Sequence, residues 1–179
     1  MSPTSKLCYH LHMWYVIWTA TGRERKAIEL IEDTCGDLTG RLFVPLRKVN
    51  IKRAGVWTTT DKALFPGYIF VDTGKPQELA RRLHKIDGFH RLLEQDKEYQ
   101  PLSEEETAFI EELYVKGGMF DPSVGIIEGD VIKITSGPLF GMEGYIKKID
   151  RHKRTAGIEL NMFGRTIKTI VGLEIIEKN

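Results

Sequence analysis

The chain has 179 residues, of which 41% are hydrophobic and 28% are charged, as in ordinary globular proteins of one or two domains. The net charge of +1 excludes a strong overall field for nucleic acid, although the charges are unevenly distributed along the chain. No apolar run approaches the roughly 20 residues of a membrane span, and no secretory signal is recognisable, so we expect a cytoplasmic protein with no membrane partner. The two cysteines, Cys8 and Cys35, cannot form a disulfide framework. Nothing near Cys35 completes a zinc site with Cys8, His10 and His12, so we expect no metal and no cofactor.

The first part of the chain alternates between strand and helix patterns. Residues 1–12 follow neither period and are expected to be a disordered extension or a non-native start. Aromatic and β-branched residues predict a strand at Trp14–Ala20 that is covered on both faces. A capping box formed by Thr21 and Glu24 then predicts a helix that ends at Gly36.

Two further strands are predicted at Leu42–Val49 and Ala63–Val71, joined by a basic surface loop at Asn50–Lys62. This alternation favours an α/β (α+β) sandwich domain over residues 13–115. The remaining predicted elements of this domain are a helix at Pro76–Lys85, a strand at Gly88–Leu93 and a helix from Ser103 to Tyr114 with a capping box at Ser103 and Glu106.

The composition changes after residue 115. Residues 116–125 are rich in Gly, Asp, Pro and Ser and predict a flexible linker. From residue 126 to 179, short β-rich runs are separated by glycine turns every 8 to 12 residues, which is typical of a small all-β barrel.

The segment Glu128–Asp150 resembles a KOW motif, a β-barrel signature found in transcription factors and in ribosomal proteins. Its spacing suits tight reversals between curled strands, where glycine avoids the penalty at positive φ. Downstream, Met162–Thr166 resembles the Phe-Gly-Arg turn that closes such barrels. The spacing residues are Gly137, Pro138, Gly141 and Gly144.

The motifs of the first domain distinguish between these classes of protein, because they occur in the order of an NGN (NusG N-terminal) domain. Together, the two domains resemble the NusG family of transcription elongation and antitermination factors over residues 13–179, and most closely a specialised paralog of the LoaP type. The first-domain motifs are Trp14-Tyr-Val, Phe43-Val-Pro45 and Phe65-Pro-Gly-Tyr68 followed by Ile69-Phe-Val71.

The resemblance implies that an aromatic depression on the NGN domain binds the clamp helices of the largest subunit of bacterial RNA polymerase. Trp14 is alternatively a core residue of the sheet. Strict strand alternation would place residues 65 and 68 on opposite faces, so a bulge at Pro66-Gly67 is expected to bring them together. The matching positions are Trp14, Tyr15, Phe65, Pro66 and Tyr68.

A second candidate polymerase contact is formed by Arg82, His84 and Lys85, for which a solvated helix end is the alternative. The first turns of the first helix carry Arg23, Arg25 and Lys26, where cations oppose the helix dipole. This placement indicates contact with phosphates, such as those of non-template DNA, or a plain solvated face. The basic stretch that contains Arg47, Lys48, Lys52 and Arg53 has the same two interpretations.

The barrel carries a second basic cluster around one predicted hairpin. The LoaP resemblance implies that this surface binds a nascent RNA hairpin, and docking of a ribosomal protein or Rho through Phe163 is the alternative for this domain. The cluster consists of Lys147, Lys148, Arg151, His152, Lys153 and Arg154, with Arg165 and Lys168 beside it.

We therefore expect a monomeric factor that binds polymerase and suppresses pausing and termination. It contains no recognisable catalytic motif and is not expected to be an enzyme. The alternatives are a housekeeping NusG and a ribosome-associated RNA-binding protein. In RfaH, another specialised relative, the barrel refolds into helices and masks the polymerase site. The turn glycines and β-branched strands here predict a stable barrel without masking.

Overall fold

The computed structural model describes residues 13–88 and 90–176, so the predicted extension at residues 1–12 lies outside the described residues. Among the described residues, no helix is both long and apolar enough to cross a membrane. The helices are α1 (Glu24–Cys35), α2 (Pro76–Leu83) and α3 (Glu104–Val115). The strands of the first part are β1 (Met13–Trp18), β2 (Leu42–Phe43), β3 (Leu46–Arg53), β4 (Val56–Ala63), β5 (Tyr68–Thr73), β6 (Arg91–Leu92) and β7 (Met119–Phe120). Those of the second part are β8 (Ser123–Glu128), β9 (Val131–Ser136), β10 (Ile146–Asp150), β11 (Thr155–Met162) and β12 (Arg165–Ile175).

The central sheet of the first domain has the strand order β2-β5-β1-β6, and β1 is antiparallel to both of its neighbours. Residues 14–17 of β1 are covered on both faces, as predicted, whereas Trp18 at its end is exposed. Tyr15 and Ile17 pack against α1 and α2, whereas Trp14 and Val16 pack on the opposite side with residues of α3.

The predicted basic loop between two strands is instead a long hairpin. β3 and β4 pair along their whole length, from Leu46 opposite Ala63 to Arg53 opposite Val56. Ala54 and Gly55 form the connection with φ values of 47° and 83°, the left-handed geometry of the two-residue turns that match strand twist. The loop prediction was wrong because such a turn needs only two residues, while the polar β-branched residues beyond it extend the strands.

The first predicted strand of this region, Leu42–Val49, is divided at Pro45. β2 pairs with β5 in the central sheet, whereas β3 pairs with β4 in a separate three-stranded sheet of order β4-β3-β7. Proline has no N–H to donate to a strand ladder, so it is a suitable place for the chain to change sheets.

The two predicted helix caps have different outcomes. α3 has the predicted capping box: Glu106 N–H donates to Ser103 Oγ at 3.2 Å, and Ser103 N–H donates to Glu106 Oε2 at 2.8 Å. α1 begins later than predicted, because its N-cap is Arg23 rather than Thr21, and it has no side-chain cap hydrogen bond. The carboxylate of Glu24 serves another contact, described below.

The segment predicted as a linker, 116–125, contains secondary structure. β7 pairs in parallel with β3, and β8 begins at Ser123 and pairs in parallel with the end of β12. This segment therefore contributes a strand to the first domain and the first strand of the barrel within a few residues.

The second domain is the predicted all-β barrel, with strand order β10-β11-β12-β8-β9 and one short 3-10 turn at Glu143–Tyr145. Gly137, in the loop after β9, has φ of 95°, and a Cβ there would lie 2.6 Å from the Cα of Ser123. Only glycine fits this approach, which explains the first glycine of the predicted motif. The predicted two-part fold is confirmed: an α/β sandwich and a small barrel.

One apolar core runs through both domains. Phe65, Phe70 and Ile110 of the first domain belong to the same buried cluster as Leu160 and Val171 of the barrel. The barrel therefore packs on the face of the central sheet opposite α1 and α2.

Candidate functional site

The Phe65–Tyr68 segment is a β-turn between β4 and β5. Tyr68 N–H donates to Phe65 O at 3.1 Å, Pro66 is the second residue, and Gly67 is the third with φ of 82°. Proline followed by a residue with positive φ is the preferred sequence of a type II turn. The predicted bulge was wrong, since the turn itself places Phe65 and Tyr68 on the same side of the sheet.

Two buried groups hold this turn in place. Thr19 N–H donates to Gly67 O, and Gly67 N–H donates to Glu24 Oε1, both at 2.8 Å. Glu24 is only 8% exposed, so its carboxylate is a positioning group rather than a helix cap. A Cβ on Gly67 would lie 2.9 Å from Thr19 O, which leaves no room for another residue.

A set of rings, here called the aromatic surface, covers the sheet face beside this turn: Phe43, Phe65, Tyr68 and Phe70. The centroid of Phe70 lies 5.9 Å from those of both Phe43 and Phe65, which is a favourable distance for tilted ring pairs. Phe43 and Phe70 were not among the predicted site residues. The spacing of Tyr68 and Phe70 along β5 is the signal that identifies Phe70, because residues two apart share a strand face.

Tyr15 does not belong to this surface. It is 3% exposed and lies in the core formed with α1 and α2, on the opposite face of the sheet from Phe70. Burial raises the pKa of its phenol. The prediction for Tyr15 was wrong because Trp14 and Tyr15 are consecutive in a strand and must point to opposite faces.

Trp14 lies on the same face as the aromatic surface but is 2% exposed and held by a polar network. Its Nε1 donates to Glu111 Oε1 at 2.8 Å, and its ring lies 4.6 Å below the guanidinium of Arg41. Arg41 donates to both oxygens of Glu111, at 2.6 and 2.7 Å, and also bonds Asp72. The hydrogen bonds from Arg41 lower the pKa of Glu111. The contacts of Trp14 are those of a core residue that anchors α3 to the sheet.

The barrel covers the aromatic surface. The ring of Phe163 lies 5.6 Å from Phe70, 5.7 Å from Tyr68 and 6.5 Å from Phe65, measured between centroids. Phe65 and Phe70 are fully buried, whereas Tyr68 is half-buried and Pro66 is exposed. The barrel is all-β, as expected, but the expectation that it leaves this surface open was wrong. The turn of the barrel carries an apolar ring, which removes more apolar area from water when it packs on other rings.

Phe163 reaches this position through an unusual backbone. It has φ of 56° and is followed by Gly164 with φ of 65°, in the two-residue turn between β11 and β12. A bulky residue with positive φ is a rare outlier, which costs about 1–2 kcal/mol and often marks a functional position. The turn projects the ring out of the barrel and onto the neighbouring domain.

Two hydrogen bonds join the domains beside this ring. Phe163 N–H donates to Glu106 Oε1 at 2.7 Å, so the carboxylate that closes the α3 capping box also binds the barrel turn. Thr169 Oγ1 donates to Leu64 O at 2.7 Å in a buried position. Glu106 and Thr169 were not predicted, since nothing in the sequence relates residues so far apart.

The three residues of the second candidate polymerase contact have different environments. Arg82 forms ion pairs with Asp37, at the end of α1, and with Glu78 at 3.2 Å. Its hydrogen bond lowers the pKa of Asp37. These contacts connect α1 and α2, whereas His84 and Lys85 are exposed.

The basic residues of the barrel fall into two groups. Three are paired: Lys153 with Asp150, Arg154 with Glu174, and Lys168 with Glu159, at 3.7, 3.2 and 2.9 Å. Lys147 donates to Gly144 O at 3.3 Å. Within the cluster predicted from the sequence, the exposed cations for which no ion pair is found among the described residues are Lys147, Lys148, Arg151, His152 and Arg165.

The hairpin around these residues has a positive local field. The pKa of Asp150 lies below its ordinary value, first because the Lys153 N–H hydrogen-bonds to it, and further because Lys153, His152 and Lys148 are close.

The other predicted basic residues lie at the first helix, where Arg23, Arg25 and Lys26 are exposed at the start of α1. Over residues 13–88 and 90–176, no group of three or more His, Cys, Asp or Glu side chains is arranged to hold a metal ion.

Comparisons with known proteins agree with this architecture. A family model described as transcription termination factor nusG matches residues 12–111, more than half of the chain. The transcription termination/antitermination protein NusG of Helicobacter pylori (strain 26695) is 23% identical over 158 residues, which cover 85% of this chain and 90% of that protein. The protein of the same description from Staphylococcus aureus (strain Mu50) is 27% identical over 174 residues, 92% of this chain and 94% of that protein.

A solved structure described as domain interaction in Thermotoga maritima NusG shares the fold. Its TM-score is 0.59 at 23% identity, and the match covers 89% of this chain and 93% of that chain. Both the family match and the full-length relatives point to the same group of proteins. The chain therefore belongs to the NusG family of transcription termination and antitermination factors.

Proposed function

We propose that this protein is an elongation and antitermination factor that binds the clamp helices of bacterial RNA polymerase through the aromatic surface. The observation that supports this is the Phe163 ring packed on Phe65, Tyr68 and Phe70. A surface that takes an apolar ring from its own barrel has the chemistry to take apolar side chains of a partner helix. Clustered aromatic residues are common hot spots of binding energy.

Because the barrel covers the aromatic surface, polymerase binding requires the barrel to move first. Phe65 and Phe70 are fully buried in the folded chain and both contact Phe163, so polymerase and Phe163 compete for the same rings. The barrel must move away before the clamp helices bind, and the apparent affinity falls with the fraction of open protein. Tyr68 and Pro66, which remain partly accessible, lie at the edge of the covered area.

The barrel has a separate role in this proposal, which is to bind a nascent RNA hairpin as the LoaP-type resemblance implies. The exposed cations Lys147, Lys148 and Arg151 support it, because no carboxylate among the described residues neutralises them and their charges are available to phosphates. We accordingly assign polymerase binding to the first domain and RNA binding to the barrel, with the change from one domain to the other inside residues 116–125, in a protein that acts as a monomer.

Two further contacts belong to the same proposal. Arg23, Arg25 and Lys26 are exposed and form one basic edge suited to the phosphates of non-template DNA. His84 and Lys85 are the accessible residues of the second polymerase contact.

A second candidate function is that of a housekeeping factor whose barrel docks a ribosomal protein or Rho. The outward projection of Phe163 favours it, since this ring becomes available when the barrel leaves the aromatic surface. Readthrough that depends on an RNA hairpin distinguishes the LoaP-type role from this one.

The test is in vitro transcription across a terminator together with co-purification in high salt. We expect the full chain to associate with core polymerase rather than ribosomal subunits and to increase readthrough. Tyr68→Ala should reduce both by about tenfold or more, as expected for a hot-spot residue. Tyr99→Ala is the matched control, because Tyr99 is half-buried against the core on the other face of the sheet. Equal binding by the Tyr68 variant and the parent would contradict the proposal.

A further inference from the structure

Arg47 is unusual in the first domain because it is only half-buried, yet two of its three guanidinium nitrogens are shielded from water. Its Nε and Nη1 are buried, and no described residue accepts a hydrogen bond from either. Burial lowers the pKa of this guanidinium below its ordinary value. An unpaired buried donor costs free energy, so its presence calls for an explanation such as a ligand.

Arg47 lies on the wall of a groove with a volume of about 790 Å³. The groove is bordered by the first turn of α1, by β2, and by the neighbouring ends of β3 and β4. Its lining is mostly apolar and includes Ile28, Leu42, Phe43, Val44, Leu46 and Pro66.

The groove continues into the aromatic surface but is not covered by the barrel. Phe43 belongs to both, and Pro66 adjoins the Phe65–Tyr68 turn. The exposed residues Arg25, Lys62 and Pro66 line the groove. A partner can therefore reach this groove while Phe163 still occupies the aromatic surface.

The charged residues of the groove indicate which kind of ligand it can bind. Glu24 already accepts the Gly67 N–H, and Asp61 does not form an ion pair with Arg47 among the described contacts. Arg25 and Lys62 are exposed at the groove, but most of the remaining lining is apolar, which disfavours a nucleic-acid backbone inside it. A guanidinium beside aliphatic and aromatic walls suits a carboxylate carried on an apolar protein segment.

We propose that this groove is a second docking site, in which Arg47 binds an Asp or Glu carboxylate of an apolar polymerase segment next to the clamp-helix contact. This inference rests on the proposed function for the identity of the partner. The chemistry of the groove does not depend on it, and the two parts can be tested separately.

The groove itself is tested with a small probe on the full chain. The probe is 4-methylpentanoate, which joins a branched apolar group to a carboxylate, and the readout is the ¹⁵N NMR signal of the Arg47 Nε–H. We expect a saturable shift of this signal with the carboxylate and no comparable shift with 4-methylpentanamide, its neutral counterpart. An unchanged Arg47 signal, or an equal response to the amide, overturns the inference.

The partner is tested with Arg47→Met, which removes the charge and keeps a long apolar side chain. We expect polymerase affinity to fall about tenfold or more, which is typical for a lost hydrogen-bonded charge pair. The Tm of the free chain should rise by about 2–4 °C, because the variant no longer shields an unpaired cation. A structural role for Arg47 would move the two quantities in the same direction and would overturn the inference.

Lys62→Met is the matched control, since Lys62 lies directly opposite Arg47 across the hairpin, lines the same groove and is exposed. It removes the same unit of charge without removing a guanidinium that has buried, unpaired N–H groups. A loss of affinity as large as that of Arg47→Met would attribute the effect to the general field and overturn the inference. If the parent chain fails to bind polymerase while the NMR shift is present, the proposed function fails and the carboxylate site stands.

Discussion

The two ends of β11 show how one strand can separate two surfaces. The end at Thr155 follows the hairpin turn Arg151–Arg154, which is cationic and exposed. The end at Met162 leads into Phe163 and Gly164, which pack on the first domain. Both turns contain a non-glycine residue with positive φ, Arg154 at 51° and Phe163 at 56°. The backbones are similar, and the side chains decide which turn stays in water.

The distance between these ends has a functional consequence. An eight-residue strand spans about 24 Å, so a ligand on the basic turn does not touch the aromatic surface. Under the proposed function, the barrel can therefore bind RNA while it still covers the rings that we propose to bind polymerase. Changes at one end should therefore leave the other activity intact.

The largest expected effect is at the basic end. Replacement of Lys147, Lys148 and Arg151 together with glutamate should weaken binding of a structured RNA by at least about a hundredfold, because three phosphate contacts become repulsive. Fluorescence anisotropy at several salt concentrations measures this loss and the reduced salt dependence. Polymerase affinity should stay unchanged.

The matched control for this variant makes the same change in net charge at Lys153, Arg154 and Lys168. These three cations are already paired with carboxylates, so their contribution to RNA binding should be smaller. An equal loss in both triple variants would show that overall charge, rather than the unpaired surface, governs RNA binding.

The next effect is at the aromatic end. Phe163→Ala removes the ring that covers Phe65, Tyr68 and Phe70, so the open form should gain population. We expect polymerase affinity to rise by about tenfold, because less of the binding energy is used to displace the barrel. RNA affinity should not change. A fall in polymerase affinity would indicate that Phe163 contacts polymerase directly.

A smaller effect in the same direction is expected from Glu106→Gln. The variant weakens the hydrogen bond from Phe163 N–H and also the α3 capping box, at a cost of about 1 kcal/mol in the free energy of unfolding. Polymerase affinity should rise about threefold by the same shift in population. Glu104→Gln is the control, because Glu104 lies in the same helical turn but outside the capping box. Identical behaviour of the two variants would remove Glu106 from the domain contact.

The sequence predicted the parts of the fold that depend on local patterns. The covered strand β1, the capping box of α3 and the glycine-spaced barrel follow from periodicity and turn chemistry. Predictions were wrong where a short sequence pattern is compatible with more than one contact in the folded chain. Glu24 matches a capping box in sequence, yet its carboxylate binds the Gly67 N–H in the folded chain.

Only the first-domain part of the candidate site could be predicted from the sequence. Phe65, Pro66 and Tyr68 are adjacent in the sequence and form a recognisable turn. The covering of these residues depends on contacts between Glu106 and Phe163 and between Leu64 and Thr169, which lie 57 and 105 positions apart. No spacing rule relates such pairs, because the packing of two domains is a property of their surfaces.

The smallest expected effect tests whether stability alone alters either end of β11. Glu111→Gln weakens the contact with Arg41 and Trp14 that anchors α3 to the sheet. Both ion-pair partners are about one-third exposed, so the free energy of unfolding at pH 7 should fall by only about 1 kcal/mol. RNA affinity and polymerase affinity should match those of the parent.

The stability difference between the parent and Glu111→Gln should depend on pH in a definite direction. Hydrogen bonds from Arg41 place the pKa of Glu111 below its ordinary value of 4.5, so the folded state binds its proton less readily than the unfolded state. The stabilisation is fully present above that ordinary value and is lost as the pH falls through the lower folded pKa. Thermal unfolding should therefore separate parent and variant at pH 7, with the difference shrinking in acid. Glu112→Gln, which affects an exposed pair with Lys116, should give a smaller difference at pH 7. A constant difference from pH 7 down to acid would mean that packing, rather than the charge of Glu111, anchors α3.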